Sequence, residues 1–478
     1  MSAWLWTTQD MLAAMEGRAV GDVPHGVTGL SIDTRTILPG EAYLSIKGDV
    51  HDGHAFVANA FGAGGGLSVV AEDWLDHLSG ETGPLIVVDD VLRALERLAV
   101  AARARTAARV VAITGSVGKT TTKEALRTGL SACGSVHAAV ASFNNHWGVP
   151  LTLARMPEAT DYAVIEIGMN HPGEITPLVK FARPHVAIIN NVAAVHLGAF
   201  NSVDEIALAK SEIFAGLEPG GTAVLNADDP RLSIMQAEAA KAGVEHTMLF
   251  GEADNAHVRL LKLKMMEDCS CLTVDVRGEE MALKLGAPGR HIAQNALAVL
   301  AAAQLMGADL ARVGLALGDV SAVKGRGQRH SLNLGGRQVA LIDESYNANP
   351  TSMAAALALL GQAEVSGRGR RIAVLGDMLE LGPTSSDLHA GMIDAILKAP
   401  VDRLWLAGPE MLALKEAAKR VGVAVDHVDD LGACIPALLN DLRDGDVVMA
   451  KASLGMGFAR LIDAMLDAHS RATGAAKN

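Results

Sequence analysis

The chain has 478 residues, 50% hydrophobic and 20% charged, which is too long for a single core and too apolar for disorder. Its formal net charge of -13 excludes general polyanion binding, so no nucleic-acid partner is expected, whereas an anionic small molecule needs only local cations. MSAWLWTTQDML has no basic stretch and no long apolar run, and Cys133, Cys269, Cys271 and Cys434 have neither metal-ligand nor redox spacing. A cytoplasmic protein without membrane insertion is expected, with Cys269 and Cys271 as bland residues on one strand face.

Three blocks follow one another. Residues 1–105 hold short strands and turns, among them LSIDTRT, AYLSIKG and PLIVVDD, then a helix over VLRALERLAVAARART. In residues 106–324 strands and helices alternate: VVAIT, YAVIEIG, HVAIINNV and GGTAVLNADD read as buried strands, and the helix NALAVLAAAQLMG stops at Gly307. Residues 325–478 begin the alternation again with QVALIDE, RIAVLGD, DRLWLAG and DVVMAKAS. The fold class is therefore α/β, with a central parallel-sheet domain and a second doubly wound unit behind it. Ligands of such sheets sit beyond the carboxyl ends of the strands, where Asp343, Asp377 and Lys451 fall.

The stretch VVAITGSVGKTTTKEAL carries the chemistry. A strand runs into Gly115, Ser116, Val117 and Gly118, and a helix opens with Lys119, Thr120 and Thr121. Turn and helix N–H groups then face an anion, Lys119 adds a point charge, and a threonine hydroxyl suits Mg²⁺. Kinases, GTPases, transport ATPases and ATP-driven ligases all use such a loop.

Glu166 closes the neighbouring strand, with Asn190 and His196 after the next one; a carboxylate and an imidazole beside a nucleotide phosphate fit a Mg²⁺ site, and a salt-bridged carboxylate is the alternative. Ser202 and Glu205 form a capping box, and Lys210 falls on the apolar stripe of the helix that they start. There it either snorkels or lies in a dry site as a neutral amine that reacts with CO₂ to form a carbamate. Asn144 and Asn145 either stabilise a turn or reach substrate. His291 and Asn295 share a helix face, where Asn295 reads an adenine edge or lies on a plain surface.

TGSVGKTTTKE, NNHWGVP, EIGMNHPGEI, HLGAF with AKSEIF, DESYNANP and LGDMLELG occur in this order over the whole chain, which resembles the Mur ligases of peptidoglycan synthesis. The last two motifs point to the branch that joins D-alanyl-D-alanine to UDP-N-acetylmuramoyl-tripeptide. Val117, Ser142 and Ala452 depart from the residues usual in the family, and the short loop between Gly115 and Gly118 is typical of it.

The resemblance implies three domains: an N-terminal UDP-sugar-binding domain over 1–105, a central ATP-binding domain over 106–324, and a C-terminal Rossmann-like domain over 325–478 that closes on the nucleotide. ATP would phosphorylate the terminal carboxylate of the tripeptide, and the dipeptide amine would attack the acyl phosphate. Lys119 would bridge the ATP phosphates, Thr120 and Glu166 would hold one Mg²⁺, and His196 with carbamylated Lys210 would hold a second. Asn295 would contact adenine; Arg326, Asp343 and Tyr346 would meet ATP. Thr34, Arg35, Lys47, Asp52 and His54 would bind the UDP-sugar, with Asn144 and Asn145 also on substrate, and Asn347 and Asn349, with Asp377 and Glu380, would face the incoming dipeptide. A monomer is expected. The alternatives are a Mur-type ligase that adds a single amino acid, and a nucleotide-dependent switch, for which the guanine-reading Asn-Lys-x-Asp motif is not apparent.

Overall fold

Three large sheets, beside a two-stranded antiparallel pair of Trp6–Thr7 with Gly26–Val27, gather the strand runs in a computed structural model that describes residues 4–48, 50–78, 83–195 and 197–474. The first sheet has five strands in the order Arg18–Val20, Leu85–Val88, Leu67–Ala71, Ala42–Leu44, Leu30–Ser31, all parallel except the first pair. The helix Val91–Arg105 begins at Asp90, whose carboxylate accepts from Arg93 N at 2.8 Å as an N-cap should. It packs on this sheet through Ala94, Leu95 and Leu98, all fully buried.

The second sheet has nine strands. Arg109–Thr114 lies between Tyr162–Glu166 and Val186–Ile189 with parallel register, and Thr222–Asn226, His246–Gly251 and Val136–Ala138 extend the parallel part. The unbroken apolar run of its central strand is explained by cover on both faces. Val111 and Ile113 pack beneath Leu126, Leu130 and Leu297, while Val110 and Ala112 pack against Val149, Leu153 and Leu178. Each Val, Leu or Ile side chain among them contributes roughly 1.5–3 kcal/mol through burial. The helix expected to stop at Gly307 runs Arg290–Leu305, and Gly307 follows with φ +73°, the left-handed position that glycine fills at low cost.

Val258–Met265, Ser270–Val276 and Glu279–Leu285 complete this sheet as an antiparallel meander that the α/β alternation did not foretell. It also corrects the reading of the cysteines. Cys269 lies in the turn before the strand and is buried, whereas Cys271 is exposed, so they do not share a face; all four cysteines are free thiols.

The third sheet runs Gln328–Leu334, Arg337–Asp343, Val447–Lys451, Arg371–Gly376, Arg403–Ala407, Val425–Val428, parallel except for its opening hairpin. Among the described residues no helix is long and apolar enough to cross a membrane.

Candidate active site

Because neighbouring parallel strands end together, the loop after Thr114, the carboxylate of Glu166 and the segment after Ile189 meet at one sheet edge. Gly115 and Gly118 have φ +154° and +86°. A Cβ on Gly118 would also lie 2.8 Å from Asn295 Oδ1, so both backbone angle and space demand glycine there. The helix Lys119–Ser131 starts at once, and Thr122 N donates back to Gly118 O at 2.9 Å. Its first-turn N–H groups precede the intrahelical ladder and carry the positive end of the helix dipole.

Ser116 and Val117 depart from the expectation that the turn donates to an anion. Ser116 N donates to Asn191 O at 3.0 Å and Val117 N to Asn191 Oδ1 at 2.9 Å, so those N–H groups are already used. Lys119 Nζ donates to Gly115 O at 2.7 Å. Desolvation pushes the pKa of this ammonium below the ordinary lysine range, Glu166 opposes that shift, and Arg326 adds to it.

Glu166 is 2% exposed. Its Oε1 accepts from Thr120 Oγ1 at 3.0 Å and from Asn144 Nδ2 at 2.8 Å, and Thr120 Oγ1 also meets Ser142 Oγ at 3.2 Å. The second oxygen, Oε2, is buried with no hydrogen-bond partner. A carboxylate in this state carries an uncompensated desolvation cost, which a cation would relieve.

Lys210 is 2% exposed on the helix Val203–Ser211, with no side-chain hydrogen bond or ion pair among the described residues. Desolvation, with the charge of Lys119 nearby, pushes its pKa well below the ordinary range. His196 lies outside the described residues.

Two adjoining cavities share Val117, Gly118, Asn191, His291, Thr351 and Ala355. The larger, about 470 Å³, is lined further by Asp228, Phe250, Gln294 and Asn295. The other, about 360 Å³, holds Ser116, Lys119, Thr120, Thr121, Asn144 and Glu166 on one wall and Arg326, Glu344, Tyr346, Asn347, Asn349 and Lys451 on the opposite one. The second wall is formed by the segments next to the strands of the C-terminal sheet and by Lys451 at the end of its strand. Arg326 stacks over the Tyr346 ring at 3.9 Å, and buried Lys451 donates to Asn347 O at 2.9 Å and Glu344 Oε2 at 3.3 Å. Burial lowers the pKa of Lys451 despite Glu344.

The Mur ligase middle domain matches residues 113–303, and the Mur ligase glutamate ligase domain matches residues 325–454, so the two matched regions hold both walls of the cleft. The UDP-N-acetylmuramoyl-tripeptide--D-alanyl-D-alanine ligase of Escherichia coli is 34% identical over 91% of this chain and 93% of its own. The chain belongs to the Mur ligase family. The Bacillus subtilis ligase of the same name is 33% identical over 92% of this chain and 93% of its own. A crystal structure of MurF from Acinetobacter baumannii superposes with a TM-score of 0.83 at 29% identity, covering 97% of this chain and 99% of that one.

Several Mur ligase residues singled out from sequence lie elsewhere or do other work. Asp343 is 1% exposed, and its oxygens accept from Gly325 N at 3.0 Å and Ser345 N at 3.0 Å, so it ties its strand end to the Gly325 segment; it is not among the residues that line the cleft. His54 is 4% exposed, bonded to Asp52 Oδ1 through Nδ1 at 2.6 Å and accepting from Ala71 N through Nε2 at 2.9 Å, with Trp74 stacked at 5.0 Å. Both ring nitrogens are used, and Asp52 caps the following turn, so both residues carry structural hydrogen bonds in the N-terminal block. Asn145 Oδ1 accepts from Gly148 N at 2.9 Å and is a helix-start bond. Asn349 caps the helix Pro350–Gln362 through Ser352 N at 2.9 Å while bordering the cleft. Asp377 is buried, accepting from Met411 N at 3.0 Å.

Thr34, Arg35 and Lys47 line neither cavity; Arg35 and Lys47 are exposed on the N-terminal block, and Arg35 pairs with Asp33 at 2.7 Å. Glu380 O accepts from Gly198 N at 3.2 Å, which brings the C-terminal block against the segment after His196. Asn191 and Ser142 were missed from sequence. Asn191 follows the chosen Asn190, whose Nδ2 instead bonds buried Thr122 Oγ1 at 2.7 Å, and only the loop register tells the two amides apart.

Proposed function

We infer that this chain is the ATP-dependent ligase that joins D-alanyl-D-alanine to UDP-N-acetylmuramoyl-tripeptide, the reaction for which its relatives are named, and that it works through an acyl phosphate. A carboxylate is a poor electrophile. A carboxylate oxygen of the tripeptide attacks the γ-phosphorus of ATP and ADP leaves; the dipeptide amine then attacks the acyl carbon, the acyl C–O bond breaks, inorganic phosphate leaves carrying that oxygen, and the nitrogen releases a proton. The protein's work is to neutralise charge and align the in-line transfer.

Lys119 and the first turn of its helix face the nucleotide phosphates from one wall, and Arg326 approaches from the other. Tyr346 holds the Arg326 guanidinium by its ring. Asn295, beside Gly118 in the larger cavity, suits the adenine edge.

The observation that carries this reading is the buried, unpartnered Oε2 of Glu166 next to the Thr120 hydroxyl. A hard oxygen donor pair at a phosphate loop fits Mg²⁺, which takes one or two carboxylates and completes its shell with phosphates and water. Bound there, Mg²⁺ supplies charge neutralisation to the transferring phosphoryl group. Lys210, buried and with its pKa pushed well down by desolvation, supports the carbamate reading: a neutral amine and CO₂ give an anionic oxygen ligand and one proton. With His196 it would hold a second ion.

Arg35 and Lys47, with Thr34, offer exposed cations for the two phosphates of the UDP-sugar, and Asn347 and Asn349 border the space for the dipeptide. A monomeric, cytoplasmic enzyme completes the reading. Phosphate release with UDP-muramoyl-tripeptide tests it. Release that requires D-alanyl-D-alanine is expected; release driven equally by a single amino acid would reassign the chain to another amide-forming branch of the family.

A further inference from the structure

Five hydrogen bonds tie the two central residues of the phosphate loop to the segment after the Val186–Ile189 strand. Asn191 O accepts from Ser116 N at 3.0 Å, its Oδ1 accepts from Val117 N at 2.9 Å, and its Nδ2 donates to Val117 O at 3.0 Å. Ser116 Oγ donates to Ala193 O at 3.1 Å and accepts from Ala193 N at 2.9 Å. The Asn191 amide therefore presents to Val117 the donor and acceptor pair that a neighbouring strand would present. Both polar backbone groups of Val117 are fixed immediately before the chain reverses at Gly118, φ +86°.

The loop has only two residues between its first and third anchor, Gly115 and Gly118. Its own backbone forms no closed nest around an anion, because the Ser116 and Val117 N–H groups point to Asn191. Anion binding is left to Lys119 and to the N–H groups that follow Gly118, and their direction depends on where the Val117 peptide is held.

We propose that Asn191 is a positioning residue for the nucleotide: by clamping Val117 it sets the aim of the Gly118–Thr120 backbone and of Lys119 on the phosphates, without touching the reacting atoms. This rests on the ligase reading above. It assigns to a side-chain amide the work that a longer phosphate loop does with its own peptide groups.

The test compares full-length wild type, Asn191→Ala, Asn191→Gln and Ser116→Ala by calorimetric ADP binding and by KM for each substrate. Loss of two hydrogen bonds of ordinary strength corresponds to a change on the order of ten- to a hundredfold. Asn191→Ala is expected to raise the ADP Kd and the KM for ATP by about that factor, with the KM for UDP-muramoyl-tripeptide within twofold of wild type. Asn191→Gln, which keeps both amide functions on a longer stem, is expected to recover part of the loss. Ser116→Ala, which removes the other half of the clamp, is expected to weaken ADP binding in the same direction. It also decides the matter should Asn191→Ala not fold, since unchanged ADP binding in Ser116→Ala then overturns the inference. Unchanged ADP binding in a folded Asn191→Ala overturns it as well, and so does an equal rise in every KM. Failure of the ligase reading would show separately, as wild-type phosphate release indifferent to the dipeptide.

Discussion

Thr120 Oγ1 donates to Glu166 Oε1 at 3.0 Å while the other oxygen of that carboxylate is buried without a partner. The pair joins the first turn of the phosphate-loop helix to the end of the next strand. Glu166→Gln keeps the shape and removes the charge, so the fold should survive while kcat falls at least on the order of a hundredfold, as when a group aimed at developing charge is removed. Steady-state phosphate release at saturating substrates, beside a thermal melt, checks this. A fully active variant would remove Glu166 from the chemistry.

Lys210 is a buried base whose pKa is held down by desolvation. In the folded state it binds fewer protons than in the unfolded chain at every pH between its lowered value and the ordinary lysine value of about 10.4, so stability rises with pH across that window. In CO₂-free buffer Lys210→Met should raise the Tm at neutral pH and flatten the slope. Melts from pH 6 to 10 measure both, and an unchanged slope would contradict the burial argument.

The carbamate makes a separate claim. With ¹³CO₂ the wild type should show a carbamate carbon resonance that Lys210→Ala lacks, and Lys210→Ala should lose turnover and regain part of it with a short carboxylic acid. Wild-type turnover in Lys210→Ala would end the proposal.

Gly118 faces two constraints, a left-handed backbone and the Asn295 amide 2.8 Å from any added Cβ. Gly118→Ala should cost about 1–2 kcal/mol of stability from the backbone alone. The displaced amide should also raise the KM for ATP. Chemical denaturation and nucleotide titration read the two effects independently.

In the N-terminal block, structure and sequence divide the work differently. His54→Ala should destabilise the fold by about 1–3 kcal/mol, because the buried Ala71 N–H loses its acceptor, with little effect on substrate KM in the folded fraction. Arg35→Ala and Lys47→Ala should raise the KM for the UDP-substrate and leave the melt unchanged.

The sequence made the parallel strands legible because their cover on both faces leaves unbroken apolar runs, as in Val110–Ile113 and Val186–Ile189. The meander over Val258–Leu285 was not legible, since its half-exposed strands mix lysines and leucines. Lys119, Thr120 and Glu166 could be placed because strand ends in a parallel sheet converge. Asp343 and His54 show what spacing does not separate: a polar residue at a strand end or turn reads the same whether it faces a ligand or satisfies backbone N–H groups nearby. Asn191 was missed because its partners lie in a different loop, at a register that spacing does not encode.

The direct measurement of the central claim is the fate of oxygen. With ¹⁸O in the terminal carboxylate of UDP-muramoyl-tripeptide, turnover with ATP and D-alanyl-D-alanine should place one ¹⁸O in each inorganic phosphate released, read by mass spectrometry. Phosphate free of ¹⁸O would mean that no acyl phosphate forms, and would contradict the account.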